Sequence, residues 1–165
     1  MMRWKVAILT TSDRGARGER ESTSALVIRE LVEEELHGDI VEDRVVPDEI
    51  DDVMAALIEM SEYHEAHLIL TTGGSGLGAR DITPEATRQV IDREIPGFPE
   101  LIRASQAARN IRPALFRGTA GQRGRTLIVN LPGRPKGVST AMMAIIADLE
   151  AAMRKLSGKE DDFEE

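Results

Sequence analysis

Short apolar runs alternating with helical periodicity constrain this chain most. Residues 4–10 (Trp-Lys-Val-Ala-Ile-Leu-Thr) and 68–71 (Leu-Ile-Leu-Thr) are near-continuous apolar stretches, as in strands covered on both faces. Between them Ile50, Val53, Met54, Leu57 and Ile58 recur at i, i+3, i+4, i+7 and i+8, which is one face of a helix. Asp48, Glu49, Asp51 and Asp52 place negative charge at its start, where the helix dipole favours it. A polar loop with Gly15 and Gly18 fills 11–20. A helix follows from Ser22 or Ser24 to Leu36, with Ala25, Ile28, Leu31, Val32 and Leu36 on one face. Residues 40–46 read as a strand ended by Pro47-Asp48. Helices are expected from Pro84 to about Arg93 and over roughly 99–109. Strand candidates at 115–120 and 126–130 are joined by a Gly-Gln-Arg-Gly turn as a hairpin, and a long Ala- and Met-rich helix covers 136–156. The alternation predicts an α/β fold: three layers, a mostly parallel sheet and helices on both faces. One domain is expected over 1–158, followed by an acidic flexible tail at 159–165.

Composition narrows the classes of function. Aromatic residues are only 3% of the chain, which leaves the core to aliphatic side chains and argues against base-stacking platforms for nucleic acid. A formal net charge of −8 disfavours nucleic acid and anionic membrane as partners. It does not disfavour a small anion, because Arg14, Arg17, Arg80, Arg123, Arg125, Arg134 and Lys136 lie in or near glycine-containing loops. With no cysteine, disulfides, thiol catalysis and cysteine-ligated metals are excluded. The N-terminus carries no signal-peptide pattern and no apolar run reaches membrane-spanning length, so the expectation is a cytoplasmic protein with small-molecule substrates.

Residues 71–87 carry the chemistry. Gly73, Gly74, Gly76 and Gly78 strip side chains from a loop just past a strand, so that backbone N–H groups can approach an anion. Arg80 and Asp81 follow, then Thr83-Pro84 as a helix start. No Gly-Lys-Ser/Thr follows, so this is not a P-loop. Ala79 stands at the third glycine of a dinucleotide fingerprint, and the helix begins only at Pro84, so that reading is also poor. Asp48 alone reads as an N-cap and Asp81 alone as an Asx-turn. Together, on loops of the same sheet edge beside a phosphate cradle, they suit Mg²⁺. Ser12-Asp13-Arg14 reads equally as a simple turn or as part of the site, and Ser75 as a phosphate contact or a turn closure. His37, His64 and His67 lack metal-ligand spacing and read as surface or packing residues.

Five segments in order resemble the MogA/MoaB family of molybdenum cofactor biosynthesis proteins. They are Ser12-Asp13-Arg14, Val46-Pro47-Asp48-Glu49, the loop from Thr71 through Ala86, Arg93-Glu94-Ile95-Pro96-Gly97-Phe98, and Asn130-Leu-Pro-Gly-Arg-Pro-Lys136. The resemblance implies a molybdopterin-binding α/β fold, a homotrimer, and molybdopterin adenylyltransferase activity with Mg²⁺, ATP and molybdopterin. Molybdopterin's terminal phosphate attacks the α-phosphate of ATP and diphosphate leaves. The resemblance assigns Thr72, Gly73, Gly74, Ser75 and Gly76, with Ser12 and Asp13, to the molybdopterin phosphate. It assigns Asp48 and Asp81 to catalysis through Mg²⁺, and Pro132, Gly133, Arg134, Pro135 and Lys136 to the nucleotide side of the cleft. It also implies a downstream partner that inserts molybdenum. The chain departs from the family pattern at Ser75, where Thr is common, and at Arg134, where Asn or Gln is common. A non-catalytic molybdopterin carrier and a plain α/β scaffold are the competing readings.

Overall fold

The computed structural model describes residues 3–159; the segment 160–165, which holds most of the expected acidic tail, lies outside them. Six strands form one sheet in the order β2-β1-β3-β6-β5-β4. They are β1 (Trp4–Thr11), β2 (Gly38–Val46), β3 (Leu68–Thr72), β4 (Arg93–Glu94), β5 (Ala120–Arg123) and β6 (Thr126–Asn130). β2, β1, β3 and β6 are parallel, while β5 runs antiparallel to both β6 and β4. The helices are α1 (Asp13–Ala16), α2 (Thr23–Glu35), α3 (Ile50–Glu62), α4 (Thr83–Val90), α5 (Gly97–Ala108) and α6 (Pro135–Leu156).

Alternation along each strand builds two cores. Val6, Ile8, Leu68 and Leu70 face α2, α5 and α6 through Ile28, Ile102 and Ile145. Ala7, Leu9, Ile69 and Ile128 face α3 and α4 through Val53, Leu57 and Val90. Because both faces are covered at the centre of the sheet, β1, β3 and β6 are apolar at most positions, whereas the outer strands β2, β4 and β5 carry charged and polar residues. Removing a fully buried side chain such as Ile8 or Leu57 costs about 2–5 kcal/mol. The expected three-layer α/β fold is the one observed. His67 caps the strand starts, its Nδ1 accepting the Lys5 N–H at 3.0 Å, while its ring meets Trp4 edge-on at 5.2 Å; this is a packing role.

Three local expectations fail. Residues 115–120 are not a strand: Pro113–Leu115 is a 3₁₀ turn and β5 begins only at Ala120. The polar groups of that stretch are engaged elsewhere. Arg103 donates to the Phe116 and Gly118 carbonyls at 3.0 and 3.2 Å, and the Arg117 N–H donates to the Ser75 carbonyl at 2.8 Å. The hairpin with β6 exists, but its turn is at Gly124, and Gly121 to Arg123 lie in the strand. The helix expected to reach Arg93 stops at Val90, because Asp92 and Ile95 donate to Gln122 and Ala120 and pull Arg93–Glu94 into the sheet. Finally, the polar loop after β1 contains α1, capped by the Ser12 hydroxyl, which accepts the Gly15 N–H at 3.0 Å.

Candidate functional site

The parallel strands β2, β1, β3 and β6 all end at the same edge. The chain runs from β1 to β2 on one side, then returns to β3 on the other, so a crevice opens beyond the ends of β1 and β3. The glycine loop fills one wall of it. Gly73 and Gly74 have φ of +88° and +67°, the left-handed region that side chains disfavour. A Cβ at Gly73 would press on the Thr11 carbonyl, and one at Gly74 on the hydroxyls of Thr83 and Thr11. The loop is thus folded tightly onto the end of β1 and the start of α4. The Thr83 hydroxyl donates to the Gly73 carbonyl at 3.0 Å and lies 2.9 Å from the Thr11 hydroxyl. Beneath the loop, fully buried Asn130 donates to the Thr71 and Thr87 hydroxyls, each at 3.0 Å, and accepts the Thr119 N–H at 3.1 Å.

Arg117 holds the far end of the loop. Its Nε donates to the Gly76 carbonyl at 2.7 Å, Nη2 to the Asp81 carbonyl at 2.9 Å, and Nη1 to Glu85 at 2.5 Å. Burial pushes the Glu85 carboxyl up, but the Arg117 hydrogen bond and charge outweigh it and hold it below its usual value. Asp81 closes the loop from within, its Oδ2 accepting the Gly78 N–H at 2.8 Å. This bond runs back into the glycine loop rather than forward as the expected Asx-turn ahead of α4, whose N-cap Ile82 makes no side-chain bond, and Asp81 also lines the cleft.

Asp48 does not cap α3, whose N-cap is Glu49 with no side-chain bond. Asp48 and Asp13 instead bridge reciprocally: the Asp13 N–H donates to Asp48 Oδ2 at 2.9 Å, and the Asp48 N–H to Asp13 Oδ1 at 3.0 Å. Arg80 latches this pair from the glycine loop, donating to both Asp13 oxygens at 2.6 and 3.1 Å and to Glu49 at 2.7 Å. The Arg80 guanidinium, then the Asp48 amide, hold the Asp13 carboxyl below its ordinary value. Burial pushes the half-buried Asp48 carboxyl above its ordinary value; bonds from the Asp13 amide and Thr11 oppose this, while the charges of Asp13 and Asp81 add to it. The two carboxylates singled out in the sequence therefore lie within electrostatic reach of each other.

Between the glycine loop, the segment 106–116 and the start of α6 lies a cleft of about 900 Å³. Asp81 is the one acidic residue in its lining. Arg112, Arg134 and Lys136 also line it, and none makes an ion pair among the described residues. α6 begins without a side-chain cap, and Lys136 and Gly137 of its first turn face the cleft, so its dipole adds to the positive field. A cavity of about 600 Å³ at the opposite edge is lined by the strand starts at Lys5, His67 and Thr126, far from the glycine loop. No group of three or more histidines or carboxylates among the described residues forms a metal cage.

Of the residues marked in the sequence, Gly74, Ser75, Gly76, Asp81, Pro132, Gly133, Arg134 and Lys136 line this one cleft. Thr72, Gly73, Ser12 and Pro135 line a smaller recess beside it. Some of these hydroxyls are engaged internally: Thr72 donates to the Pro132 carbonyl at 2.8 Å and Ser75 to the Leu131 carbonyl at 3.3 Å. Asp13 is a support for Asp48 rather than an open ligand, and Arg80 is engaged as its latch. Arg112 and Arg117 were not anticipated. Arg112 stands in a stretch without periodicity and Arg117 in the segment expected as a strand, and only the fold brings either to the site.

A glycine-lined, cation-walled cleft at the switch point of a three-layer sheet marks an α/β protein that binds a small anionic ligand. Residues 7–151 match the family described as the probable molybdopterin binding domain, and the chain belongs to that family. It is 38% identical to the molybdopterin adenylyltransferase of Helicobacter pylori over 141 residues, covering 85% of this chain and 80% of that one. In structure it is similar to the molybdopterin biosynthesis enzyme MoaB of Thermus thermophilus, with a TM-score of 0.89, 44% identity, and coverage of 94% of this chain and 98% of that one. It is also similar to the tungsten cofactor synthesizing protein MoaB of Pyrococcus furiosus, with a TM-score of 0.82, 33% identity, and coverage of 96% and 98%.

Proposed function

We propose that this protein is a molybdopterin adenylyltransferase, transferring AMP from ATP to the terminal phosphate of molybdopterin with release of diphosphate. The observation that carries the reading is the cleft itself: bare glycine backbone on one wall, Arg112, Arg134 and Lys136 on the other with no ion pair among the described residues, and Asp81 between them. The identity to named adenylyltransferases supports the same reading. Two anionic substrates repel each other, and offsetting that repulsion is the main task of such a site. The glycine N–H groups, the first turn of α6 and the three cations supply the compensating field. The attacking phosphate oxygen is already ionised near neutrality, so no strong general base is needed.

Asp48 and Asp81 suit Mg²⁺. Their donors are hard oxygens, and Asp48 is raised by burial and then by the charges of Asp13 and Asp81, a repulsion that a divalent cation offsets. No third acid joins them in a metal-holding group among the described residues, so the ion's remaining ligands would be phosphate oxygens and water. When bound, Mg²⁺ would neutralise charge on the ATP phosphates. Asp13 and Arg80 orient Asp48 for that role, and Arg117 orients Asp81. We place the enzyme in the cytoplasm as a homotrimer that delivers its product to a molybdenum-insertion protein. The test is diphosphate release from ATP in the presence of purified molybdopterin. Binding of molybdopterin without release would favour the carrier reading, and failure to bind any pterin would favour a scaffold.

A further inference from the structure

Beside the main cleft lies a recess of about 170 Å³, between the end of β1, the first turn of α2, and Gly73 and Gly133. Gly133 and Arg134 line both spaces. The recess has the features of an anion site. α2 is 13 residues long, and its N-cap Ser22 accepts the Ala25 N–H at 3.1 Å. The Thr23 and Ser24 N–H groups are left without an acceptor among the described residues, at the positive end of the helix. A separate observation comes from β1. Thr10 lines the recess, is only 5% exposed, and its hydroxyl has no hydrogen-bond partner. A buried hydroxyl without a partner costs about 1–3 kcal/mol. A group entering the recess would supply that partner. Arg20 and Arg134 border the recess without ion-pair partners among the described residues, against the single acid Glu21.

We propose that this recess is a second anion site, which takes a phosphate-class oxyanion. Its volume is well below the roughly 300–1,000 Å³ that encloses a whole drug-sized ligand, so it holds one charged group rather than a nucleoside. Sharing Gly133 and Arg134 with the main cleft, it is placed to receive the terminal phosphates of the nucleotide and to hold the diphosphate that leaves. That assignment of source rests on the adenylyl-transfer reading; the anion site itself does not.

The test is titration of the full chain with inorganic phosphate and with diphosphate, followed by calorimetry and ³¹P NMR, without turnover. Wild type should bind diphosphate, and Thr10→Val and Arg20→Gln should each weaken it about tenfold, the loss of one contact to a charged group. Thr10→Val should at the same time leave the melting temperature of the unliganded protein unchanged or raised, because it removes an orphaned hydroxyl. Absence of phosphate and diphosphate binding in wild type, or equal binding by both variants, overturns the site. Competition between phosphate and a non-hydrolysable ATP analogue supports the nucleotide as its source; simultaneous binding overturns that source and leaves a site for free oxyanion. Diphosphate binding that responds to Thr10→Val in a protein transferring no AMP sinks the activity and keeps the site. AMP transfer with diphosphate binding indifferent to Thr10 does the reverse.

Discussion

Arg117 offers the sharpest test of how the site is held. Its side chain makes two charged hydrogen bonds to glycine-loop carbonyls, at 2.7 and 2.9 Å, and an ion pair to Glu85. Each charged bond is worth about 1.5–3 kcal/mol when sheltered. The guanidinium side chain is 32% exposed and Glu85 42%, so the ion pair adds at most about 1 kcal/mol and solvent screens the rest. Arg117→Ala should therefore cost about 2–4 kcal/mol, read as a lowered urea midpoint at unchanged slope. Arg117→Lys keeps the charge but not the planar fork, and should recover only part of this loss. Because Arg117 does not line the cleft, its effect on activity passes through Asp81 and the loop carbonyls. The turnover number should fall more than the KM for ATP rises, and amide exchange should accelerate at Gly76 through Asp81. A loss below about 0.5 kcal/mol with unchanged loop protection would refute the clamp.

Three further outcomes are expected. Gly73→Ala meets both a φ of +88° and the Thr11 carbonyl, whereas Gly124→Ala meets a φ of +56° and open space; the first should lower the melting temperature by more than about 4 °C and the second by about 2–4 °C. Asn130→Ala strands the Thr119 N–H and the Thr71 hydroxyl and removes one bond from Thr87, whose hydroxyl still donates to the Thr83 carbonyl, and should cost about 2–4 kcal/mol in denaturant titration. The Asp48 carboxyl is raised in the folded state above its ordinary value of 3.8, so its ionisation costs stability above the folded pKa and costs nothing below the unfolded one. Asp48→Asn should accordingly be the more stable protein near neutral pH, with the difference vanishing as pH falls below about 4; a difference independent of pH would contradict the buried, repelled carboxylate.

The fold was legible because its signals are local. Continuous apolar runs marked β1 and β3, the Ile50-Val53-Met54-Leu57-Ile58 spacing marked α3, and their alternation implied a parallel sheet. The strand-end loops followed from that order, and with them the positions of Asp48, Asp81 and the glycines. What the sequence hid was long-range pairing. Arg80 meets Asp13 across 67 residues, and Arg117 meets Gly76 across 41. No local pattern distinguishes an arginine that holds a loop from one left for a ligand. The same limit explains the misplaced strand over 115–120: the backbone groups of residues 116–119 bond to Arg103, Ser75 and Asn130 instead of to a neighbouring strand.

That distinction among arginines organises the site. Arg80 and Arg117 carry the same charge as Arg112 and Arg134, yet the first pair is committed to Asp13, Glu49, Glu85 and loop carbonyls. Their partners cancel much of their field, leaving them as fasteners for the loops that carry Asp48 and Asp81. Arg112, Arg134 and Lys136 have no such partners among the described residues, so their field reaches into the cleft. A chain of net charge −8 can thus present a cationic wall, because the acids Asp13, Glu49 and Glu85 at this edge are paired with the two fastening arginines. Asp48 and Asp81 are the exceptions on this edge: neither makes an ion pair with an arginine side chain among the described residues, and the charges of Asp13 and Asp81 add to the burial that raises the Asp48 carboxyl. Asp81 in one cleft with three cations that make no ion pair among the described residues, and Asp48 raised by burial and by its neighbours' charges, form an unfavourable arrangement for an empty protein and a favourable one for a phosphate chain carrying a divalent ion.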